Sequence, residues 1–252
     1  MILLIISRLL SPGSKSKAYE ERSRYFERFD FSLDDVYWSL TYFGKISEDL
    51  QQYLYESIRV KYSYDTSIVY YDVTNYHFEI KKPDENRKRG RCKKNSRKPI
   101  IQIGLAMDKM GIPIHYELFP GNKLDKETFR SVIGKVRKDY DTGRIIVVAD
   151  MGIITGDNIY YLTGDKPEKP KNGYVFSFSI RGGSKAFKEY VLDEKGYIDG
   201  EGNLFDDDSD FKVKYRVSYR DINVTMNNGK TQKKTVYEKQ VDVLRINKKW
   251  VG

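Results

Sequence analysis

Two aspartates in hydrophobic segments are the residues of this sequence best suited to carry chemistry. Asp72 lies in the segment Ser67–Asn75, Asp150 closes the segment Arg144–Asp150, and both segments are otherwise mostly apolar. A lone carboxylate held near an apolar core is energetically costly, and two carboxylates side by side repel each other unless a cation lies between them. The pair therefore predicts a divalent-metal site, and sites of this kind can cut or join phosphodiesters.

The other candidate ligands are too few for the common zinc sites. Cys92 is the only cysteine, and His77 and His115 are the only histidines. A cysteine-based or histidine-rich site is therefore excluded. Carboxylate oxygens suit a hard ion, so Mg²⁺ is the predicted cofactor, with Mn²⁺ as a substitute. A single cysteine forms no disulfide within the chain, which is typical of a reducing intracellular compartment.

The N-terminal segment Met1–Leu10 is apolar but too short to span a bilayer. It has no basic region before the apolar run and no small-residue cleavage site, so it predicts a helix that packs on the core rather than a signal. We therefore expect no membrane partner and a cytoplasmic location.

The positive charge of the chain is concentrated in one segment. The formal net charge is +9, and residues Lys81 to Lys98 carry ten Lys or Arg against only two acids. A segment this basic is either a solvated loop or a contact for a polyanion. We predict sequence-independent, salt-sensitive contacts to the DNA backbone. The residues proposed for these contacts are Lys93, Arg91, Arg97, Lys94 and Lys88.

The hydrophobic pattern changes from helical to strand-like at about Ser67. Residues 1–62 predict helices, one starting after Ser32 and one at about Ser47. Four apolar runs then predict strands at about 68–73, 99–107, 112–119 and 144–149, the second and third as a hairpin. The first run is nearly unbroken, which favours a strand covered on both faces. A helix capped by Asp125 precedes the fourth strand, and a helix at 156–162 and a strand at 174–180 follow it.

This order predicts an α/β fold of the RNase H-like class, with a mixed sheet and flanking helices. In that fold the fourth strand lies beside the first, which would bring Asp72 and Asp150 together across 78 residues of chain. We predict a helical lead-in at 1–62, an incomplete core at 63–192 and a truncated β-rich insertion at 193–252. In the insertion, Val213, Tyr215 and Val217 alternate with basic residues, which predicts a strand with one solvent-facing side.

Seven short segments form an ordered set along the chain. They are Tyr71–Asn75, Phe78–Glu79, Gly90–Lys93, Ile103–Leu105, Gly111–Pro113, Glu117–Asn122 and Val147–Gly152. Together they resemble DDE-type insertion-sequence transposases, in the branch that carries a β-rich insertion before its third acid. The resemblance runs from the N-terminal helices to about Gln240. Each segment alone is weak evidence for this resemblance, but the ordered set that includes both aspartates is specific.

The resemblance implies a bacterial, nucleoid-associated DNA transposase that cleaves and joins strands at transposon ends and at a target, as a homo-oligomer when full length. The chemistry of the family needs three carboxylates that hold two Mg²⁺ ions about 3.5–4 Å apart. By resemblance Asp72 is the first acid and would bridge both ions, and Asp150 is the second. The third is a Glu on a helix after the insertion, and it has no match here. We therefore expect a truncated chain that is inactive or severely impaired alone.

Other interpretations stay open at this point. The chain could be a non-catalytic DNA-binding or dimerising remnant of a transposase, or a general RNase H-like nuclease with a third acid elsewhere. Asp72 could simply cap a turn with Asn75, and Asp150 could be a turn residue. Met151 also departs from the family, which usually carries Arg or Lys after the second acid.

Overall fold

The computed structural model describes residues 1–80, 82–90, 98–140, 142–166, 169–199, 202–203, 211–226 and 228–245. The chain divides into two compact units, Met1–Ser63 and Tyr64–Gly252. Among the described residues, no helix is both long enough and apolar enough to cross a bilayer. The predicted boundary between core and insertion at residue 193 stays a prediction.

The first unit is helical throughout its regular structure. Its helices are α1 (Ile2–Leu10), α2 (Lys15–Glu20), α3 (Leu33–Lys45) and α4 (Ser47–Tyr62), with a short 3-10 helix at Arg22–Arg24. The predicted start of α3 after Ser32 is confirmed by a capping box. The Ser32 hydroxyl oxygen accepts from the backbone N–H of Asp35, and the Asp35 carboxylate accepts from the backbone N–H of Ser32. Both contacts satisfy N–H groups that have no partner within the helix.

The second unit is built on a five-stranded mixed sheet in the order β3–β2–β1–β4–β5. The strands are β1 (Ile68–His77), β2 (Ile100–Met107), β3 (Pro113–Pro120), β4 (Ile146–Ala149) and β5 (Gly173–Phe176). The first three are antiparallel neighbours, whereas β4 and β5 run parallel to β1. The predicted pairing of the fourth strand with the first is confirmed, and with it the RNase H-like α/β class.

One face of this sheet is covered by helix α5 (Asp125–Asp139). The helix turns one apolar stripe toward the sheet, and the members of that stripe are fully buried: Phe129, Val132, Ile133 and Val136. Since strand side chains alternate between the two faces, Val69, Tyr71 and Val147 point to the same side and are buried beneath the helix. The core of the unit therefore lies between α5 and the odd-numbered positions of β1.

The opposite face of the sheet is open in the described part of the chain, so the prediction that β1 is covered on both faces is wrong there. Register places Tyr70, Tyr116, Leu118 and Val175 on that face, and they are 37%, 39%, 57% and 57% exposed. The unbroken apolar run of β1 misled the prediction because its central outward residue is Tyr70, whose hydroxyl tolerates water.

The crossover from β4 to β5 contains helix α6 (Gly156–Thr163), and helix α7 (Lys185–Leu192) follows β5. The predicted helix at 156–162 is confirmed, whereas β5 ends four residues before the predicted position 180. Helix α6 lies beside α5, where the Arg130 side chain donates a 2.9 Å hydrogen bond to Asn158. Asn158 in turn donates to the carbonyl oxygen of Lys126, which fixes α6 against α5, and to that of Ile153 in the turn before α6.

Beyond α7, strands β6 (Phe211–Thr225) and β7 (Thr231–Arg245) form a long two-stranded ribbon, and the predicted strand through Val213, Tyr215 and Val217 lies in β6. The half near the turn packs on the core. Ile222, Val224 and Val236 form a buried cluster with Ile159 of α6. The ribbon also approaches α6 at main-chain distance, since a Cβ added to Gly156 would lie 2.1 Å from the carbonyl oxygen of Asn223.

In the half of β6 away from the turn, the side that carries basic residues, rather than the side that carries Tyr215, Val217 and Tyr219, is turned inward. Lys214 is only 7% exposed, whereas Tyr215, Val217 and Tyr219 are 54%, 56% and 60% exposed. The Lys214 ammonium donates to the carbonyl oxygens of Tyr190 and Asp193 at 3.1 and 2.9 Å. These carbonyls close α7, where the helix dipole favours a cation. The alternation along β6 thus gives one solvent-facing side, as predicted, but that side carries Tyr215, Val217 and Tyr219 rather than the basic residues.

Candidate active site

Asp72 occupies a position where the pairing of β1 changes. Tyr71 is the last residue of β1 that pairs with β4, opposite Ala149, while β1 itself continues to His77. Asp72 therefore lies inside its strand, and it directly follows the end of the β1–β4 ladder. Its exposed side chain alternates away from α5. Asn75 lies within β1 and not in a turn, so the alternative that Asp72 caps a turn there is also wrong.

Asp150 is the first residue after β4 and continues the register in which Ala149 faces Tyr71. Because neighbouring strands are about 4.8 Å apart, this register sets Asp72 and Asp150 side by side at the carboxyl end of β4. Both line one pocket of about 140 Å³. The structure thus brings the two predicted residues together, and their role as metal ligands stays a prediction.

The Asp150 carboxylate is oriented by two neighbours. Its Oδ1 accepts a 2.6 Å hydrogen bond from the backbone N–H of Met151 and a 2.8 Å hydrogen bond from the hydroxyl of Ser177. The first contact caps the 3-10 turn Met151–Ile153, so Asp150 does perform turn chemistry. The second comes from the residue after β5. A carboxylate held in this way is preorganised, and the turn function does not exclude ligand binding.

The inner wall of the pocket is formed by the buried side chain of Tyr71. Its hydroxyl lies 2.7 Å from the hydroxyl of Thr128, and its ring packs edge-on against Phe129 at 5.4 Å. Burial raises the pKa of Tyr71, the hydrogen bond to Thr128 acts in the opposite direction, and the charges of Asp125, Glu117 and Asp72 raise the pKa further. The hydroxyl therefore stays protonated in a region of negative potential.

A third acid, Asp125, lines the same pocket and was missed as a site residue by sequence reasoning. The predicted capping role is wrong, because Leu124 is the N-cap and Asp125 is the first residue of α5. The Gln102 side-chain amide lies 3.4 Å from Asp125 Oδ1. No local sequence signal distinguishes this acid from the ordinary acids of a first helical turn.

The donor set of the pocket suits a hard divalent cation. Asp72, Asp125 and Asp150 offer only carboxylate oxygens, which Mg²⁺ and Mn²⁺ accept and which zinc sites rarely use alone. Within the ranges that the structure describes, however, no group of three or more His, Cys, Asp or Glu side chains is placed to hold one ion. The geometry therefore fits direct ligation by the adjacent pair, Asp72 and Asp150, more readily than by three acids.

Only one of the five predicted DNA-contacting residues, Lys88, falls within the described part of the chain. The other four, Arg91, Lys93, Lys94 and Arg97, lie outside the described residues. Lys88 is half-buried and exchanges two main-chain hydrogen bonds with Ile100, which pairs with His77. Since His77 is five residues beyond Asp72, Lys88 lies about 16 Å further along the strand direction.

A second, larger cavity of about 630 Å³ lies between α5, α6 and the tip of the ribbon. Its lining mixes basic and acidic side chains, among them Arg130, Arg137, Lys171, Asp157 and Asp165. Several of these charges pair with each other or with neighbours, as Arg130 does with Asp157 at 3.3 Å. It contains neither member of the aspartate pair, so its size does not make it the site of the predicted chemistry.

No protein-family model matches the sequence, and no curated protein matches it. Among solved structures, the chain is similar to piggyBac transposase in a synaptic complex with hairpin DNA, at 12% identity and a TM-score of 0.37, over 69% of this chain and 32% of that one. It is also similar to Mos1 transposase in a paired-end complex with the left transposon end, at 15% identity and a TM-score of 0.23, over 59% of this chain and 50% of that one. A third similar structure is the Mos1 mariner paired-end complex with Mn, at 15% identity and a TM-score of 0.24, over 75% of this chain and 60% of that one. The chain spans about a third of the first protein, and likeness at this level does not decide function.

Proposed function

We propose that this chain carries the catalytic core of a DDE-type DNA transposase, which cleaves and joins DNA strands at transposon ends with Mg²⁺. The observation that carries the proposal is the register of β1 and β4, because it sets Asp72 beside Asp150 in one pocket. The strand order that produces this register is also the one that the transposase resemblance implies.

Asp72 and Asp150 would hold the cation through their carboxylate oxygens. When bound, Mg²⁺ supplies Lewis-acid activation of the attacking oxygen and stabilisation of the leaving oxygen of a phosphodiester. The chain itself contributes orientation. Ser177 and the N–H of Met151 fix the Asp150 carboxylate, and the open sheet face around Asp72 leaves a DNA strand room to approach.

The basic segment from Lys81 to Lys98 supports DNA as the partner, since it joins β1 to β2 at the end of the sheet beyond Asp72. Basic residues there would contact phosphates flanking the one that reacts. Such binding releases counterions, so the affinity should fall steeply as salt concentration rises.

The test is strand nicking of duplex DNA that carries the inverted repeats flanking the coding sequence, with Mg²⁺ or Mn²⁺ and without metal. We expect metal-dependent nicking, at a low rate for this chain alone, that Asp72→Asn and Asp150→Asn each abolish. Asp139→Asn is the matched control, because Asp139 is an exposed acid at the far end of α5. Nicking that survives both substitutions in the pocket would refute the proposal.

A second candidate function is a non-catalytic DNA-binding protein related to transposases. It is favoured by the lack, within the described ranges, of three acids placed to hold one ion. The two functions separate in one experiment. Salt-sensitive DNA binding that is equal in wild type, Asp72→Asn and Asp150→Asn, with no nicking by any of them in either metal, favours the second.

A further inference from the structure

The aspartate pocket collects carboxylates from three separate elements. Asp72 comes from β1, Asp150 from the end of β4, and Asp125 from the first turn of α5. Helix α5 covers the face of the sheet opposite to the Asp72 side chain. The helix acid and the strand acids therefore share a pocket only because β4 stops at Ala149 and opens the sheet between them.

The Asp125 carboxylate faces this opening from a defined position. The amide nitrogen of Gln102, on β2, lies 3.4 Å from its Oδ1. Its Oδ2 would lie 3.4 Å from a Cβ added to Gly152, two residues after Asp150. One oxygen thus lies against the sheet, and the other lies against the turn that carries Asp150.

A buried acceptor lies next to Asp125, although its residue, Gln102, is not among those that line the pocket. Gln102 is 2% exposed, and its Oε1 has no hydrogen-bond partner among the described residues. The nitrogen and oxygen of one amide are about 2.3 Å apart, so this oxygen lies within about 6 Å of Asp125 Oδ1. A buried acceptor without a donor requires an explanation, and water or a hydrated ion supplies one.

Helix-dipole stabilisation alone does not account for this placement. Acids are favoured in the first turn of any helix, and α5 has a second one, Glu127. Glu127 is exposed and does not line the pocket, whereas Asp125 is half-buried and does. The exposed position of Glu127 shows that the dipole requires neither burial nor contact with the pocket. The burial of Asp125 at the pocket therefore needs a further reason.

We propose that Asp125 is a positioning residue of the Asp72–Asp150 site that anchors the water shell of a divalent cation ligated by the two strand aspartates. The inference rests on the proposed function. It agrees with the behaviour of Mg²⁺, which takes one or two carboxylates and keeps several waters. It also agrees with the finding that, in the described residues, three acids are not placed to ligate one ion directly.

The test measures binding of Mn²⁺ alone by isothermal titration calorimetry, on the full chain and without DNA. We expect Asp72→Asn and Asp150→Asn each to abolish the pocket's binding step. Asp125→Asn, which keeps the size of the side chain, should weaken binding about tenfold, as loss of an outer-shell partner does. Asp125→Glu, which restores the charge, should regain most of that loss. Glu127→Gln, which removes an acid from the same helical turn, should bind as wild type does.

The outcomes separate this inference from the proposed function. If the Asp72 and Asp150 variants lose binding but Asp125→Asn matches Glu127→Gln, the role of Asp125 is refuted and the metal site stands. If Asp125→Glu binds no better than Asp125→Asn while its melting curve is native, the charge has no role and the inference fails. If wild type shows no Mn²⁺ binding, or the Asp72 and Asp150 variants bind as wild type does, both fail. Circular dichroism melts confirm that each variant is folded.

Discussion

Replacing Tyr71 by Phe should alter stability in a way that depends on pH. The change removes one hydroxyl and leaves the ring against Phe129 in place. At neutral pH it deletes the buried 2.7 Å hydrogen bond to Thr128, which contributes about 1 kcal/mol. The Thr128 hydroxyl keeps its 2.8 Å bond to the carbonyl oxygen of Asp125, so it is not left without a partner. We therefore expect Tyr71→Phe to be about 1 kcal/mol less stable than wild type at pH 7.

The difference should shrink in alkali because burial raises the pKa of Tyr71 above its usual value of 10.0. In the unfolded chain the phenol ionises near that value, while in the folded protein it stays protonated. Because the pKa of Tyr71 is higher in the folded than in the unfolded state, its protonated hydroxyl contributes fully to stability below the unfolded-state pKa. That contribution is lost progressively as the pH rises above the unfolded-state pKa. About one unit above the unfolded pKa, the loss is about 1.4 kcal/mol. Phe has no such loss, so the two stabilities should converge near pH 11.

The assay is urea unfolding followed by circular dichroism at a series of pH values from neutral to alkaline. Other groups titrate equally in both proteins and cancel in the difference. Tyr70→Phe is the control, since Tyr70 is on the open face and 37% exposed, and it should change stability by less than about 0.5 kcal/mol at pH 7. A gap between wild type and Tyr71→Phe that stays constant from neutral to alkaline pH would refute the reasoning.

Two further substitutions test how the ribbon is attached. Lys214→Met should lower the free energy of unfolding in urea by about 2 kcal/mol, because two carbonyls at the end of α7 lose their charged donor. Lys233→Met, at an exposed position, should have little effect. Equal effects of the two substitutions would contradict the inward role of Lys214. Gly156→Ala should destabilise by about 1–3 kcal/mol, because a Cβ there meets the main chain of Asn223 at 2.1 Å. It should also speed proteolysis of the ribbon, and an unchanged rate would contradict the close packing of the ribbon on α6.

The sequence predicts the location of the aspartate pair well because that location follows from regular structure. The apolar runs that end near Asp72 and Asp150 are strands, and the strand order makes them neighbours. Hydrophobic periodicity reports such elements directly. It does not report how far a strand continues, so the extension of β1 to His77 could not be foreseen. That extension is polar and mostly exposed, and it is held by pairing with β2 rather than by its own burial.

Asp125 and Lys214 show what the sequence could not provide. An acid in the first turn of a helix is common for reasons of dipole alone, so only the position of α5 over the sheet shows that Asp125 reaches the pocket. Lys214 alternates with apolar residues, and the usual assumption places charge in water. The carbonyls at the end of α7 accept from the Lys214 ammonium and so allow it to be buried. Only tertiary structure brings these carbonyls to the ribbon.

The position of the pocket follows from a mismatch in strand length. Strand β1 has ten residues and its parallel neighbour β4 has four. Beyond Tyr71, β1 therefore keeps only its antiparallel partner, while the chain after β4 turns away through Met151–Ile153. The gap exposes Asp72 and Asp150 to the same space and admits a carboxylate from the helix face. A β4 as long as β1 would fill the gap with backbone, so the short strand, and not only the two aspartates, makes the site.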